Sequence, residues 1–185
     1  MVLLAVLYFI TNFTEHDLPT VISDELIKIL THLKDNFPKF KTCSNHVGTI
    51  DDLLHWDDWS TDRKFSIDRK LLSINLLEHS VVVEQLKTLT NGGKVSGAFL
   101  YPPDGWMGWH TNSSTYPKDT RLYITHNDNE GSVFLYRKGN KTFYLEEPKG
   151  WSIKYFDVTK SFWHAVISKS NRHSFGFRYL VLNNE

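Results

Sequence analysis

The sequence is poor in cysteine, in surplus charge of either sign and in long apolar runs. A single cysteine, Cys43, in 185 residues excludes an intramolecular disulfide and points to a reducing compartment. Its neighbours Thr42, Ser44, Asn45 and His46 form no nucleophile signature, which sets a catalytic thiol aside. Lysine plus arginine equals aspartate plus glutamate, at 21 each, so the cationic excess on which nucleic-acid or anionic-membrane binding rests is missing. The apolar stretch Met1 to Ile10 has neither a basic flank nor a small-residue cleavage site. It breaks at Thr11 and Asn12, short of the roughly 20 residues of a membrane span. A buried strand of a soluble, cytoplasmic protein is the expectation. Sequons starting at Asn12, Asn112 and Asn140 mean little without a secretory signal.

What is present is material for a core. Hydrophobic residues make up 41% and aromatics 14%, which excludes a disordered chain, and the length suits one domain over 1–185. Within it, 1–93 reads as a helical and strand support region and 94–185 as the β-rich part. Ser23 is placed to cap a helix whose first turn holds Asp24 and Glu25, with Leu26, Leu30 and Leu33 at helical spacing and Asn36-Phe37-Pro38 as its stop. A second helix is predicted from Glu78 to Thr90, ended by Asn91-Gly92-Gly93. Between them, Asp51 to Asp68 reads as a loop rich in Asp, Trp and Lys.

From Lys94 the pattern becomes short β-rich runs: Val95–Tyr101, Leu122–His126, Ser132–Tyr136, Lys141–Leu145, Ser152–Phe156, Ala165–Ile167 and His173–Leu180. Turn residues such as Pro102-Pro103-Asp104-Gly105 and Lys138-Gly139-Asn140 separate them. Many short strands at such spacing predict a sandwich or barrel, with the helices segregated against it in an α+β architecture.

Three features of this half carry chemistry: Gly108-Trp109-His110-Thr111-Asn112, Phe162-Trp163-His164-Ala165-Val166, and Asn171-Arg172-His173-Ser174 running on to Tyr179. Singly, each has an ordinary explanation, a hydrogen-bonded structural histidine or a surface arginine. Together they suggest two imidazole donors to a mononuclear metal and a guanidinium suited to a carboxylate. Strand alternation sets Arg172 and Ser174 on one face. Arg178 lies about 20 Å along the strand, too far to share the same carboxylate.

These segments, with Ala98-Phe99-Leu100-Tyr101-Pro102-Pro103-Asp104-Gly105 ahead of them, resemble the Fe(II)- and 2-oxoglutarate-dependent oxygenases. The likeness is to the prolyl-hydroxylase-like branch and to small oxygenases of this type seen in marine phages. The resemblance runs from about Gly97 to Leu180. It implies a double-stranded β-helix (jelly-roll, cupin-like) core with the N-terminal helices packed on one face. It also implies Fe(II) on His110 and His164, and 2-oxoglutarate held by Arg172 with Tyr101, Ser174 and Tyr123, ascorbate being a candidate accessory. The implied reaction is hydroxylation of an unactivated C–H on a peptidyl or free amino acid, or on a small metabolite, releasing succinate and carbon dioxide. Were the source viral, the host cytoplasm would be the site of action.

One position departs from the pattern. The family's first motif is H-x-D or H-x-E, and here the third residue is Asn112, a neutral donor that neutralises no metal charge. Asn112 either coordinates weakly or leaves a two-histidine centre similar to that of the aspartyl/asparaginyl β-hydroxylases, whose strand after the first histidine Arg121-Leu122-Tyr123-Ile124 also resembles. Otherwise the site is degraded and the fold serves as a non-catalytic cupin-like binding domain. A halogenase is disfavoured, because those enzymes carry Gly or Ala there. His126 is read either as a substrate-rim residue or replacement ligand, or as a histidine bonded to the Asn127-Asp128-Asn129 turn. Trp106 and Trp109 are expected to line the substrate entrance and Trp56 and Trp59 its rim, against core packing as the ordinary alternative.

Overall fold

The computed structural model describes residues 6–9, 23–36, 41–42, 49–55, 59, 69–74, 76, 80–112, 119–158 and 162–180. Cys43, Trp56 and most of Asp51 to Asp68 lie outside these. The elements in chain order are β1 (Val6–Phe9), α1 (Asp24–Asp35), β2 (Lys41–Thr42), α2 (Ile50–Leu54), β3 (Leu72–Ile74), α3 (Ser80–Leu89), β4 (Lys94–Tyr101), β5 (Trp106–His110), β6 (Asp119–Asn127), β7 (Ser132–Lys138), β8 (Lys141–Glu147), β9 (Gly150–Val158), β10 (His164–Ile167) and β11 (Arg172–Leu180). No helix among the described residues is long and apolar enough to cross a membrane.

From β4 onward the chain passes back and forth between two sheets. One is seven-stranded, in the order β1-β9-β6-β11-β4-β3-β2, and the other four-stranded, in the order β5-β10-β7-β8. The antiparallel sets β4-β11-β6-β9 and β5-β10-β7-β8 are the two halves of a double-stranded β-helix, an α+β fold once the helices are added. Strands β1, β2 and β3 widen the larger sheet, β1 by parallel pairing with β9. The β7–β8 hairpin turns on Gly139-Asn140, with Lys138 paired to Lys141. Gly139 takes φ +59° there, open to glycine at little steric cost.

Alternation along each strand divides the molecule into layers. Outside the large sheet, Leu122, Ile124, Ile153, Phe175 and Phe177 meet Leu26 and Leu30 of α1 and Leu86 of α3 in one buried cluster. The Ser23 hydroxyl accepts from the Leu26 N–H at 3.1 Å and so starts α1. Between the sheets lie Tyr101, Phe134, Phe156, Phe162 and Val166. Outside the small sheet, Leu53 of α2 covers Trp106, Trp109, Leu135 and Trp163. Helices therefore pack on both outer faces. The short α2 occupies part of what sequence alone reads as loop, and its capping box, Thr49 with Asp52, sets its start.

Leu30 is fully buried in the helix-to-sheet layer. Leu30→Ala is expected to cost about 2–5 kcal/mol, measured as a lower urea midpoint with an unchanged slope. A loss under about 1 kcal/mol would mean that α1 is held by something other than this contact.

Candidate functional site

His110 ends β5 and His164 opens β10, and the two are register partners on adjacent strands. Their ring centroids are 4.1 Å apart. A register shift between His164 and Val166 inserts an extra β5 residue opposite β10. That bulge turns Met107 and His110 toward the space between the sheets and sends Trp106 and Trp109 to the outer face, the re-aiming of side chains for which bulges are common beside sites.

The histidines open on a cavity of about 130 Å³ that is also lined by Tyr101, Asn112, Arg121, Tyr123, Arg172 and Ser174. This is well below the roughly 300–1,000 Å³ of sites for drug-sized ligands, and suits a small organic acid.

His110 Nδ1 lies 2.8 Å from the Gly108 carbonyl. A donated N–H there leaves Nε2 as the ring's lone-pair donor, the usual device for orienting a metal-binding imidazole. His164 is completely buried, ringed by Phe134, Phe156 and Phe162 at centroid distances of 5.6, 5.4 and 5.6 Å. Burial first, then the neighbouring His110 and Arg121, holds its pKa well below the ordinary 6.5, so the ring is neutral and able to ligate. The Asn112 amide nitrogen donates to Tyr123 Oη at 2.8 Å and to His164 Nε2 at 3.2 Å. A half-turn of that amide would present its oxygen in the same place. Two imidazoles with an amide beside them, one of the rings enclosed by phenyl groups, fit a divalent metal of the borderline class.

At the far end Arg172 is fully buried, over the Tyr101 ring at 4.8 Å. Sequence reasoning did not anticipate its partner. Glu147, at the end of β8, accepts from Arg172 Nε at 2.5 Å and from Nη2 at 3.0 Å, and it also pairs with Lys154 of β9. Lys154 donates on to Thr125 Oγ1 at 2.9 Å and Ser152 Oγ at 3.3 Å. Burial alone would raise the Glu147 carboxyl; the Arg172 and Lys154 charges overcome it and hold the group well below the carboxylate range. Burial pushes Lys154 down to about 8 against the pull of Glu147. Arg172 Nη1 has no partner among the described residues. The edge of the guanidinium not taken by Glu147 is thus the part available to a ligand.

Of the residues singled out from sequence, His110, His164, Asn112, Tyr101, Tyr123, Arg172 and Ser174 meet around this one cavity. Three do not. Trp106 and Trp109 sit in the outer cluster, with Trp109 Nε1 donating to the Leu53 carbonyl at 2.8 Å, because of the bulge. Trp59 stands edge-on to Trp109 and Trp163 there. His126 pairs with His173 across β6 and β11 on the helix-facing side, opposite the cavity, since β6 turns Tyr123 inward and Ile124 and His126 outward. Arg121 was missed as a site residue. It donates to the Asn112 carbonyl at 3.4 Å, and its place two residues before Tyr123 on one strand face was the available signal. Glu147 and Lys154 gave none, being charged residues at strand positions with no motif.

No protein-family model matches the chain, and no curated protein does. Among solved structures it is similar to a Pseudomonas putida prolyl-4-hydroxylase, at 12% identity over 89% of both chains with a TM-score of 0.47. A 2OG-Fe(II) oxygenase family oxidoreductase from Burkholderia pseudomallei matches at 10% identity, over 95% of this chain and 96% of the other, with a TM-score of 0.42. A cupin domain from Bordetella pertussis matches at 17% identity over 49% of this chain and 92% of its own, with a TM-score of 0.29.

Removing one member of a buried ion pair strands the others. Glu147→Gln is expected to cost about 3–5 kcal/mol in chemical denaturation at neutral pH. The folded-state carboxyl lies below its ordinary 4.5, so the unfolded chain takes up that proton first. The stabilisation is present above pH 4.5 and is lost as pH falls below it; the gap between wild type and variant should narrow there. A gap independent of pH down to acid unfolding would contradict the ion-pair account.

Proposed function

We propose that the chain is an Fe(II)- and 2-oxoglutarate-dependent oxygenase that hydroxylates an unactivated C–H of an amino-acid side chain or small metabolite. The observation that carries this reading is the in-register His110/His164 pair at one end of a small cavity whose other end is a buried arginine. On this reading His110 and His164 hold the iron, and Asn112 stands beside them as a third donor or as the support of a bound water. The outward edge of Arg172 takes the distal carboxylate of the co-substrate, flanked by Ser174 and by the Tyr101 ring. Tyr123 orients Asn112 through its hydroxyl. Phe134, Phe156 and Phe162 keep water from the His164 side, which strengthens every polar contact inside. When bound, Fe(II) and 2-oxoglutarate supply the oxidation, one atom of dioxygen passing to the substrate carbon and the other to succinate as carbon dioxide leaves.

A second reading is a non-catalytic cupin-like domain that binds a small anion. It is favoured by the two Arg172 nitrogens already given to Glu147 and by the neutral Asn112.

Anaerobic addition of Fe(II) and 2-oxoglutarate separates the two. The oxygenase should develop a visible charge-transfer absorption that His110→Ala and Arg172→Ala abolish, and in air it should release succinate. Neither signal from wild type would leave the binding domain. Asn112→Asp should tighten iron binding about tenfold if the amide is a donor to the metal; an unchanged affinity would exclude it from the ligand set.

A further inference from the structure

A second group of metal-binding side chains lies on the opposite face of the large sheet, independent of the cavity. His126 of β6 and His173 of β11 are register partners, and Asp128 follows directly where β6 ends. One donor atom from each falls within 4.8 Å of the other two. His126 Nδ1 is 3.5 Å from Asp128 Oδ1, while the other carboxylate oxygen accepts from Asn171 Nδ2 at 3.2 Å. Asn171 thus fixes the carboxylate with one oxygen aimed at the histidines, the kind of outer contact that orients a metal-binding carboxylate. The edge of Trp151, at a centroid distance of 5.0 Å, walls the His126 ring.

The charges around the site are mixed. Lys34, at the end of α1, acts most strongly on both histidines and opposes a cation, while Asp128 and then Asp35 favour one. Lys34 is ion-paired to Asp35 at 2.6 Å, and the negative end of the α1 dipole also favours a cation. Burial, with Lys34 adding to it, holds both imidazoles below their ordinary value, His173 at about 4. Both rings are therefore neutral at physiological pH, the form that binds metals.

We propose that His126, Asp128 and His173 form a site for a zinc-class divalent ion, with water as a fourth ligand. Two nitrogens and one carboxylate oxygen make a borderline donor set. It disfavours calcium and magnesium, which want oxygen ligands, and it favours zinc over iron(II) in the Irving–Williams order. Tetrahedral donors about 2.0–2.1 Å from zinc stand about 3.4 Å from one another. The His126–Asp128 pair already meets this, and the widest separation, within 4.8 Å, has to close by up to about 1.4 Å, within reach of a side-chain rotation. The ion would tie the turn after β6 to the start of β11, next to Arg172. It would act by position, fixing the strand that carries the cavity's arginine.

The site is tested with Zn²⁺ alone, by equilibrium dialysis and by melting. His110→Ala/His164→Ala should retain one zinc per chain, with a raised melting temperature. Adding His126→Ala or Asp128→Asn should weaken that binding about tenfold or more and remove the melting shift. Should the double variant not fold, Co²⁺ serves on the otherwise unaltered chain: a tetrahedral visible spectrum is expected, and Asp128→Asn should abolish it. Absence of zinc binding by the double variant, or a zinc or cobalt signal indifferent to Asp128→Asn and His126→Ala, would overturn the assignment. Because the oxygenase reading rests on His110, His164 and Arg172, it fails or stands separately.

Discussion

Glu147 belongs to the small sheet, and Arg172 and Lys154 belong to the large one, so their ion pairs form a buried polar link between the two halves of the β-helix. All three are fully buried. Charges in such a place are tolerable only when matched and hydrogen-bonded, and the surroundings meet that condition through Thr125 and Ser152. The match is nonetheless uneven. Two cations face one carboxylate, and Arg172 retains a nitrogen without a partner among the described residues. A net positive interior at the base of a cavity favours an anion, and one small enough for about 130 Å³.

The opposite end is built on another principle. Around His164 the neighbours are phenyl rings, and dehydration keeps the imidazole neutral. One strand thus presents an ion-paired arginine, while the adjoining sheet presents a pair of histidines, His164 held neutral by burial. The inner face of β6 runs between them, with Thr125 and Asn127 near the ion-paired end and Tyr123 and Arg121 near the histidines. A ligand that is anionic at one end and metal-chelating at the other fits this gradient better than a uniformly apolar one.

Much of the frame could be read in the residues. Ser23 capping α1, the leucines at helical spacing, and seven β-rich runs separated by glycine and proline turns correspond to elements seen in the fold. The lost information was non-local or came from irregularity. Strand β5 was hidden because Pro102-Pro103-Asp104-Gly105 and Gly108 read as a turn, and its bulge breaks the alternation that would tell Trp109 from His110. Glu147 could not be paired with Arg172 from sequence, because only the closure of the β-helix brings β8 against β11. The alternation that put Arg172 and Ser174 together also put His173 on the other face. A sheet partner, His126, was needed to make anything of it.

The charge balance bears on Asn112. In a site with a carboxylate ligand, part of a divalent ion's charge is neutralised before any co-substrate arrives. Among the described residues the cavity is lined by Arg121 and Arg172, with Lys154 and Glu147 behind Arg172. On the proposed reading, a metal held by His110 and His164 adds positive charge, which the neutral amide does nothing to relieve. A bound dianion would relieve it, and would in turn be held more tightly with the metal present. Such coupling is reciprocal by thermodynamic necessity. On the proposed reading, a neutral Asn112 shifts the requirement for negative charge from the protein to its ligand.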